Sequence, residues 1–336
     1  MAPKNMIYGV LLGAIVVLLL NLNGDTSQPN QQSLASSRVI ATATSTRNVP
    51  TVLTDDVALL KTKHHNSELK SGDLRELLRQ STQTATYRPA TPAGLRQFES
   101  LMVRTLQTSV MDSDLVCDWF NAGWQVHNTS DQTLVISELP DQRSGRGIYA
   151  IRATAELNLV LQAPHRFYDE GSGLIVRKLF HEHSVRAAAW NSVHRRQVDL
   201  AHCDDHYLNA FTRAVVTVER ETKILQVHGF SPDKYAWTAN SSAATAQVIL
   251  SNGTKFPSRQ VVSAAANLKS ALDPKSVLLF PDEIDVLGGT TNRQGQQIRD
   301  LGSHGFVHVE LAKDFRDRII RDASVRESFL RSFTKR

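Results

Sequence analysis

The sequence predicts an α/β sandwich with a mixed central sheet. Three observations lead there. Short β-prone apolar runs alternate along the chain with segments of helical apolar spacing, the pattern of helices layered on a sheet. Two of those runs, Leu157–Gln162 and Ile224–Val227, stop just before a histidine. The last run, Phe306–Leu311, passes directly into an amphipathic segment, Lys313–Phe333, that reads as a terminal helix. The chain has 336 residues, 41% of them hydrophobic, which is enough for one large core.

In chain order, Met6–Leu20 comes first, uncharged and almost wholly apolar. It reads as a signal peptide's apolar region or a short membrane anchor, being shorter than the ~20 residues of a full span. Lys4 before it, and the poor cleavage sequence Leu22-Asn23-Gly24 after it, favour an uncleaved anchor with the amino terminus inside. Both readings place residues 1–23 in a leader and the remainder on the periplasmic or extracellular face. Residues 24–90 are rich in Ser, Thr, Gln and Asn and read as a largely disordered linker, with helical spacing at Val57–Leu60 and Leu69–Leu78. Residues 91–336 form the folded domain. Gly94–Leu106 reads as a helix. Val116–Val126, Thr133–Ile136, Ile148–Ala153 and Leu157–Gln162 read as strands. A helix over Leu174–Phe180, a strand over Ser184–Trp190 and a helix over Asp204–Phe211 follow. Strands are expected at Ala214–Val218, Lys223–Val227, Ala246–Leu250 and Phe306–Leu311.

The net charge of +5 serves solubility, and no Lys/Arg run with interleaved aromatics points to nucleic acid. The two cysteines, Cys117 and Cys203, make no CxxC and so no thiolate zinc site; pairing across a membrane is open to them.

The chemistry lies at strand ends. Pro164 stops one strand and His165 follows, with Glu170 five residues on; His228-Gly229-Phe230 ends another. If the two strands are neighbours, both histidines reach the carboxyl rim where open α/β sheets bind ligands. His165, Glu170 and His228 then form a zinc ligand set with an open fourth position for water. In Phe306-Val307-His308-Val309-Glu310-Leu311, alternation puts Phe306, His308 and Glu310 on one face. A carboxylate near the end of so apolar a strand needs a role, and Glu310 is the expected general base. The Gly-rich stretch Leu287–Gly295 allows close backbone approach, and its Arg293 can grip a substrate carboxylate. His202-Cys203-Asp204-Asp205-His206 resembles a metal cluster, but successive residues cannot all aim at one ion. His181-Glu182-His183 reads as a solvated helix end.

The order His165…Glu170, His228-Gly229-Phe230, Gly288-Gly289…Arg293-x-Gly295 and His308-Val309-Glu310-Leu311-Ala312-Lys313 resembles the N-formylglutamate amidohydrolases. It is also similar to the phage-type zinc-dependent poly-γ-glutamate hydrolases, whose His-x4-Glu motif is matched by His165 and Glu170. The resemblance covers about residues 145 to 320. It implies a three-layer, zinc carboxypeptidase-like fold, Zn²⁺ on His165, Glu170 and His228, Glu310 as base and Arg293 at the substrate. Where those amidohydrolases carry Asp-Leu-Asn-Arg, this chain has Asp199-Leu200-Ala201-His202, with Arg195 and Arg196 just before it as replacement substrate grips. The expected activity is hydrolysis of an amide bond in an acidic substrate: γ-glutamyl, N-acyl-glutamate or peptidoglycan-like. The alternative is a catalytically silent envelope protein that binds an acidic cell-wall ligand in the same pocket.

Overall fold

The computed structural model describes residues 70–81, 86–108, 110–236 and 241–334. The expected leader, most of the linker and the helical spacing at Val57–Leu60 lie outside them. Among the described residues no helix is long and apolar enough to cross a membrane.

The strands are β1 (Lys70–Gly72), β2 (Trp124–Thr129), β3 (Thr133–Glu138), β4 (Ile148–Arg152), β5 (Leu157–Ala163), β6 (Val185–Trp190), β7 (Lys223–Phe230), β8 (Val248–Ser251), β9 (Val277–Leu279) and β10 (Phe306–Ala312). They form one sheet in the order β1-β2-β3-β4-β6-β5-β7-β10-β8-β9. Its centre, β6-β5-β7-β10, is parallel, while β4 and β8 join it antiparallel on either side. The sheet is therefore mixed, as the alternating pattern predicts.

The helices are α1 (Leu74–Gln80), α2 (Pro92–Gln107), α3 (Ser113–Asn121), α4 (Ser172–Glu182), α5 (Tyr207–Val218), α6 (Arg259–Ala271), α7 (Arg293–Asp300), α8 (Lys313–Arg321) and α9 (Ala323–Thr334). They divide between two cores, one on each face of the sheet. Apolar residues of α1, α4, α6, α8 and α9 pack with Leu161, Leu225, Val227 and Val309. Those of α2, α3, α5 and α7 pack with Val160, Ile224, Ile136 and Phe306. This makes three layers. In the second core Phe98 packs edge-on to Trp119 and Tyr207, the geometry favoured by the ring quadrupole.

Four readings of the sequence are corrected. Residues 116–126 are not one strand: Asp112 caps α3, whose Leu115, Val116 and Trp119 are buried, and Gly123 at φ 84° turns the chain into β2. Short apolar runs do not separate strand from buried helix. Ala214–Val218 continues α5, whose Val215 and Val216 are buried like the residues before them; a helix apolar on most sides loses its period. The terminal helix is two helices. Asp322 ends α8, and its carboxylate accepts from Ser324 N and Val325 N at the start of α9. The sheet also begins before residue 91, since β1 pairs with β2 and Leu77 and Leu78 of α1 enter the first core. Cys117 and Cys203 are both free thiols.

Candidate metal centre and cleft

Register explains why polar side chains gather at one end of this sheet. On one face Val160, Ile224 and Phe306 align as an apolar row, then Gln162, Gln226 and His308, then His228 opposite Glu310. The period of two keeps each row on the same face, toward α5 and α7. The last row lies at the carboxyl rim of the parallel strands, the usual ligand crevice of open α/β sheets.

His165 follows β5 at the same rim. The chain then makes a single helical turn, with Asp169 N–H donating to His165 O at 2.8 Å. In such a turn residues four apart share a face and residues five apart do not. Asp169 therefore returns to His165, while the Glu170 carboxylate points out, with its side chain 77% exposed and 3.6 Å from Lys313 Nζ. This corrects the expected ligand set. The structure brings His165 and His228 together, but with Asp169 in place of Glu170.

The three donor atoms form a nearly equilateral triangle. His165 Nδ1 lies 3.2 Å from His228 Nδ1 and 3.4 Å from Asp169 Oδ2, and His228 Nδ1 lies 3.3 Å from Asp169 Oδ2. All three residues are buried. Tetrahedral bonds of about 2.05 Å separate ligand atoms by about 3.3 Å, so the triangle has the size of one face of a zinc site.

The hydrogen bonds behind the triangle settle the tautomers. Burial raises Asp199, but His165 and His202 hold it below the ordinary carboxylate range. The carboxylate can only accept, so His165 Nε2–H donates to Asp199 Oδ1 at 2.8 Å. His228 Nε2 faces Gln226 Oε1 at 2.8 Å. The Gln226 amide is oriented by its neighbours, because its Nε2 donates to Gln162 Oε1 and Gln294 Oε1. Gln294 is in turn fixed by donating to Leu200 O, and Asn292, which donates to Gln226 Oε1, is fixed by accepting from Gly295 N. Gln226 Oε1 is thus an acceptor, and His228 Nε2 carries its hydrogen. Both Nδ1 atoms are left as lone pairs facing a carboxylate oxygen that receives no hydrogen bond. Three such acceptors at contact distance repel one another unless a cation sits among them. A metal ion satisfies this, and without one a proton must: burial lowers His165, but Asp169 and Asp199 override it and raise its pKa. Burial lowers that of His228.

Glu310 is buried, and its Oε2 has no hydrogen-bond partner among the described residues. Its Oε1 lies 3.8 Å from His308 Nε2. Burial first, and then the charge of Asp169, push its carboxyl well above the usual range. Among the described residues it pairs with no arginine; the Arg316 guanidinium goes instead to the carbonyls of Glu170, Phe230 and Leu311.

Two lobes of an open cleft meet at Glu310. The larger, about 490 Å³, is lined by Tyr168, Arg195, Arg196, Phe230, Lys234 and Tyr235. The other, about 360 Å³, is lined by His165, His228, His308, His202, Lys255 and Asn292 among others. Glu310, Arg195 and Leu287 border both. Gly288 and Gly289 bring the loop against Phe280 and His308, where an added Cβ would come within 2.5 and 2.7 Å of the rings. Arg293 is absent from the lining of both lobes. It opens α7 and pairs with Asp204 across the surface. Asn292, one residue earlier, lines the cleft instead. Arg195 borders the cleft while bound to Asp199 at 2.8 Å, and Arg196 lines the larger lobe. The His202–His206 run splits among local tasks. His202 lies 3.1 Å from Asp199. His206 caps α5, donates to Gly145 O, and is pushed by burial down to about 4.

Asp169, Asp199, Gln226 and His308 are the residues to which sequence reasoning gave no role. A signal existed for the first and third: Asp169 is one helical turn from His165, and Gln226 is two strand positions from His228.

No protein-family model matches the sequence, and no curated protein sequence matches it. Solved structures show weak similarity. An Agrobacterium tumefaciens gene product shares 12% identity over 53% of this chain and 91% of its own, at a TM-score of 0.39. The N-formylglutamate amidohydrolase of Ralstonia eutropha shares 12% over 56% and 96%, at 0.37. The zinc-free apo form of YndL shares 13% over 58% and 93%, at 0.34. At these scores the similarity lends no residue role and no activity to the present chain.

Proposed function

We propose that this protein is a zinc-dependent hydrolase of an amide bond in an acidic substrate of the γ-glutamyl, N-acyl-glutamate or peptidoglycan-like class. The observation that supports it best is the buried triangle of two bare imidazole nitrogens and one carboxylate oxygen, with edges of 3.2, 3.3 and 3.4 Å. His165, Asp169 and His228 would hold the ion. When bound, zinc supplies Lewis acidity toward a carbonyl oxygen and toward water.

The chain's own groups do the rest. Asp199 and Gln226 keep each histidine in the tautomer that offers Nδ1. Glu310, at the junction of the two lobes and without a partner at Oε2, takes a proton from water and returns it to the leaving nitrogen. Its burial serves this role, because a carboxyl pushed well above the usual range holds a proton well enough to deliver it. Arg195, Arg196 and Lys234 give the larger lobe a cationic wall for a substrate carboxylate. Arg195 keeps part of its guanidinium on Asp199, which leaves Arg196 and Lys234 for the ligand.

The test is hydrolysis of N-formylglutamate and of a γ-glutamyl oligomer by chelator-stripped protein, before and after zinc is restored. Activity is expected only with zinc, and Glu310→Gln should keep the ion and lose about 10²–10⁴-fold in turnover. Zinc-independent turnover, or full activity in Glu310→Gln, overturns the reading.

A further inference from the structure

Helix α1 and the amino-terminal end of α4 border an open pocket of about 420 Å³ that shares no lining residue with the cleft. Arg75 and Arg79 of α1, Arg166 of the β5–α4 loop and Arg177 of α4 line it, and no acidic side chain does. Arg79 is held by Glu76. Among the described residues, no carboxylate lies within ion-pair distance of Arg75, Arg166 or Arg177. Burial, and after it the charge of Arg75, lower the pKa of Arg177, with Asp73 a weaker opposing influence. Of the four arginines, Arg79 alone is ion-paired, and Asp73 offsets the charge of Arg177 only from beyond ion-pair distance. Arg166 is held in place by the chain itself. One end of its fork donates to Leu78 O at 2.8 Å and Ser81 Oγ at 3.2 Å, and the group lies over the Phe167 ring at 4.3 Å. Gly173 and Leu174 of the pocket lining belong to the first turn of α4, whose N-cap, Gly171, supplies no side-chain hydrogen bond. The positive end of that helix adds to the field.

We propose that this pocket binds a phosphate-bearing anion, gripped by Arg75, Arg166 and Arg177 at the uncapped start of α4. Guanidinium forks match phosphate oxygens two at a time. A phosphate group brings three acceptor oxygens and up to about two charges, where a carboxylate brings two oxygens and one charge.

The experiment uses the full chain, stripped of metal, at constant ionic strength, with pyrophosphate as the calorimetric probe. Saturable binding is expected in the wild type, weakened at least about tenfold in Arg75→Gln/Arg177→Gln. The unliganded double variant should melt no lower than the wild type, because its substitutions remove a repulsion. A second arm compares wild type and double variant on phosphatidylglycerol and phosphatidylcholine vesicles, so that any contribution of residues 6–20 cancels. Phosphatidylglycerol binding that the double variant loses identifies a lipid headgroup; pyrophosphate binding with no such difference identifies a soluble phosphate. The proposal is overturned if neither probe responds to the substitutions. Equal pyrophosphate binding in the double variant overturns it too, by placing the anion elsewhere, such as beside Arg195 and Arg196. So does a large drop in melting temperature, which would show these arginines pairing with an acid of the chain itself, such as Asp55, Asp56 or Glu68.

Discussion

The burial of Glu310 has a cost in stability, and under the proposed mechanism the same burial prepares it for proton transfer. A carboxyl whose folded pKa is raised contributes stability that is fully present below the unfolded pKa and lost as pH rises through the folded one. In metal-free protein, therefore, Glu310→Gln should gain on the wild type as pH is raised from the ordinary glutamate range upward, since glutamine cannot ionise. Thermal melts of both proteins across that range check this; a constant difference would mean that Glu310 ionises freely. The same residue marks what the sequence could disclose. A carboxylate in an apolar strand is conspicuous one residue at a time, and so are His165 and His228 at strand ends. Asp169 was not, because choosing between it and its neighbour Glu170 requires the phase of a short turn, set by one backbone hydrogen bond from Asp169 N to His165 O. Arg293 misled for a related reason: its position beside the glycines is right, but Asp204, distant in sequence, claims its side chain.

At the scale of elements, strand register converts three sequence-distant segments into ordered rows across β5, β7 and β10. The Gln162–Gln226–Gln294 amides lie directly behind His228 and are buried. Gln226→Leu should leave the sheet intact yet weaken zinc binding by about 10–100-fold, because His228 loses the acceptor that fixes its tautomer. Calorimetric zinc titration of the variant checks this, and an unchanged affinity would show that the amide row is packing alone. Alternation made the polar face of β10 legible in advance. The misread elements were α3 and the second half of α5, where burial on nearly every side removes the amphipathic period that distinguishes helix from strand. Helices α6 and α7 were not placed: Val261, Ala264, Ala265 and Leu268 of α6 do recur at helical spacing and were passed over, whereas α7 carries a single buried apolar side chain, Ile298.

For the whole molecule, three layers and a mixed sheet follow from alternation and are what the chain forms, but its edge begins earlier than composition indicates. Polar residues around β1 and α1 disguise two leucines that enter the main core. A chain starting at Lys70 should therefore be clearly more stable than one starting at Thr91, with Leu77 and Leu78 each contributing about 1.5–3 kcal/mol. Denaturant unfolding of the two decides it; equal midpoints would mean that β1 and α1 are dispensable. Export through residues 1–23 is a separate expectation. A reporter fused after residue 60 should be active only beyond the membrane, and cytoplasmic activity alone would refute it.

The central claim is that His165, Asp169 and His228 hold one zinc ion. Its most direct measurement is zinc titration of the metal-stripped full chain beside Asp169→Ala and Glu170→Ala, adjacent carboxylates of which only one faces the histidines. One ion per wild-type chain is expected, with Glu170→Ala binding as the wild type does and Asp169→Ala weaker by at least about 100-fold, since it removes one of the three proposed ligands. No binding by the wild type, or loss of binding in Glu170→Ala with retention in Asp169→Ala, would contradict the assignment.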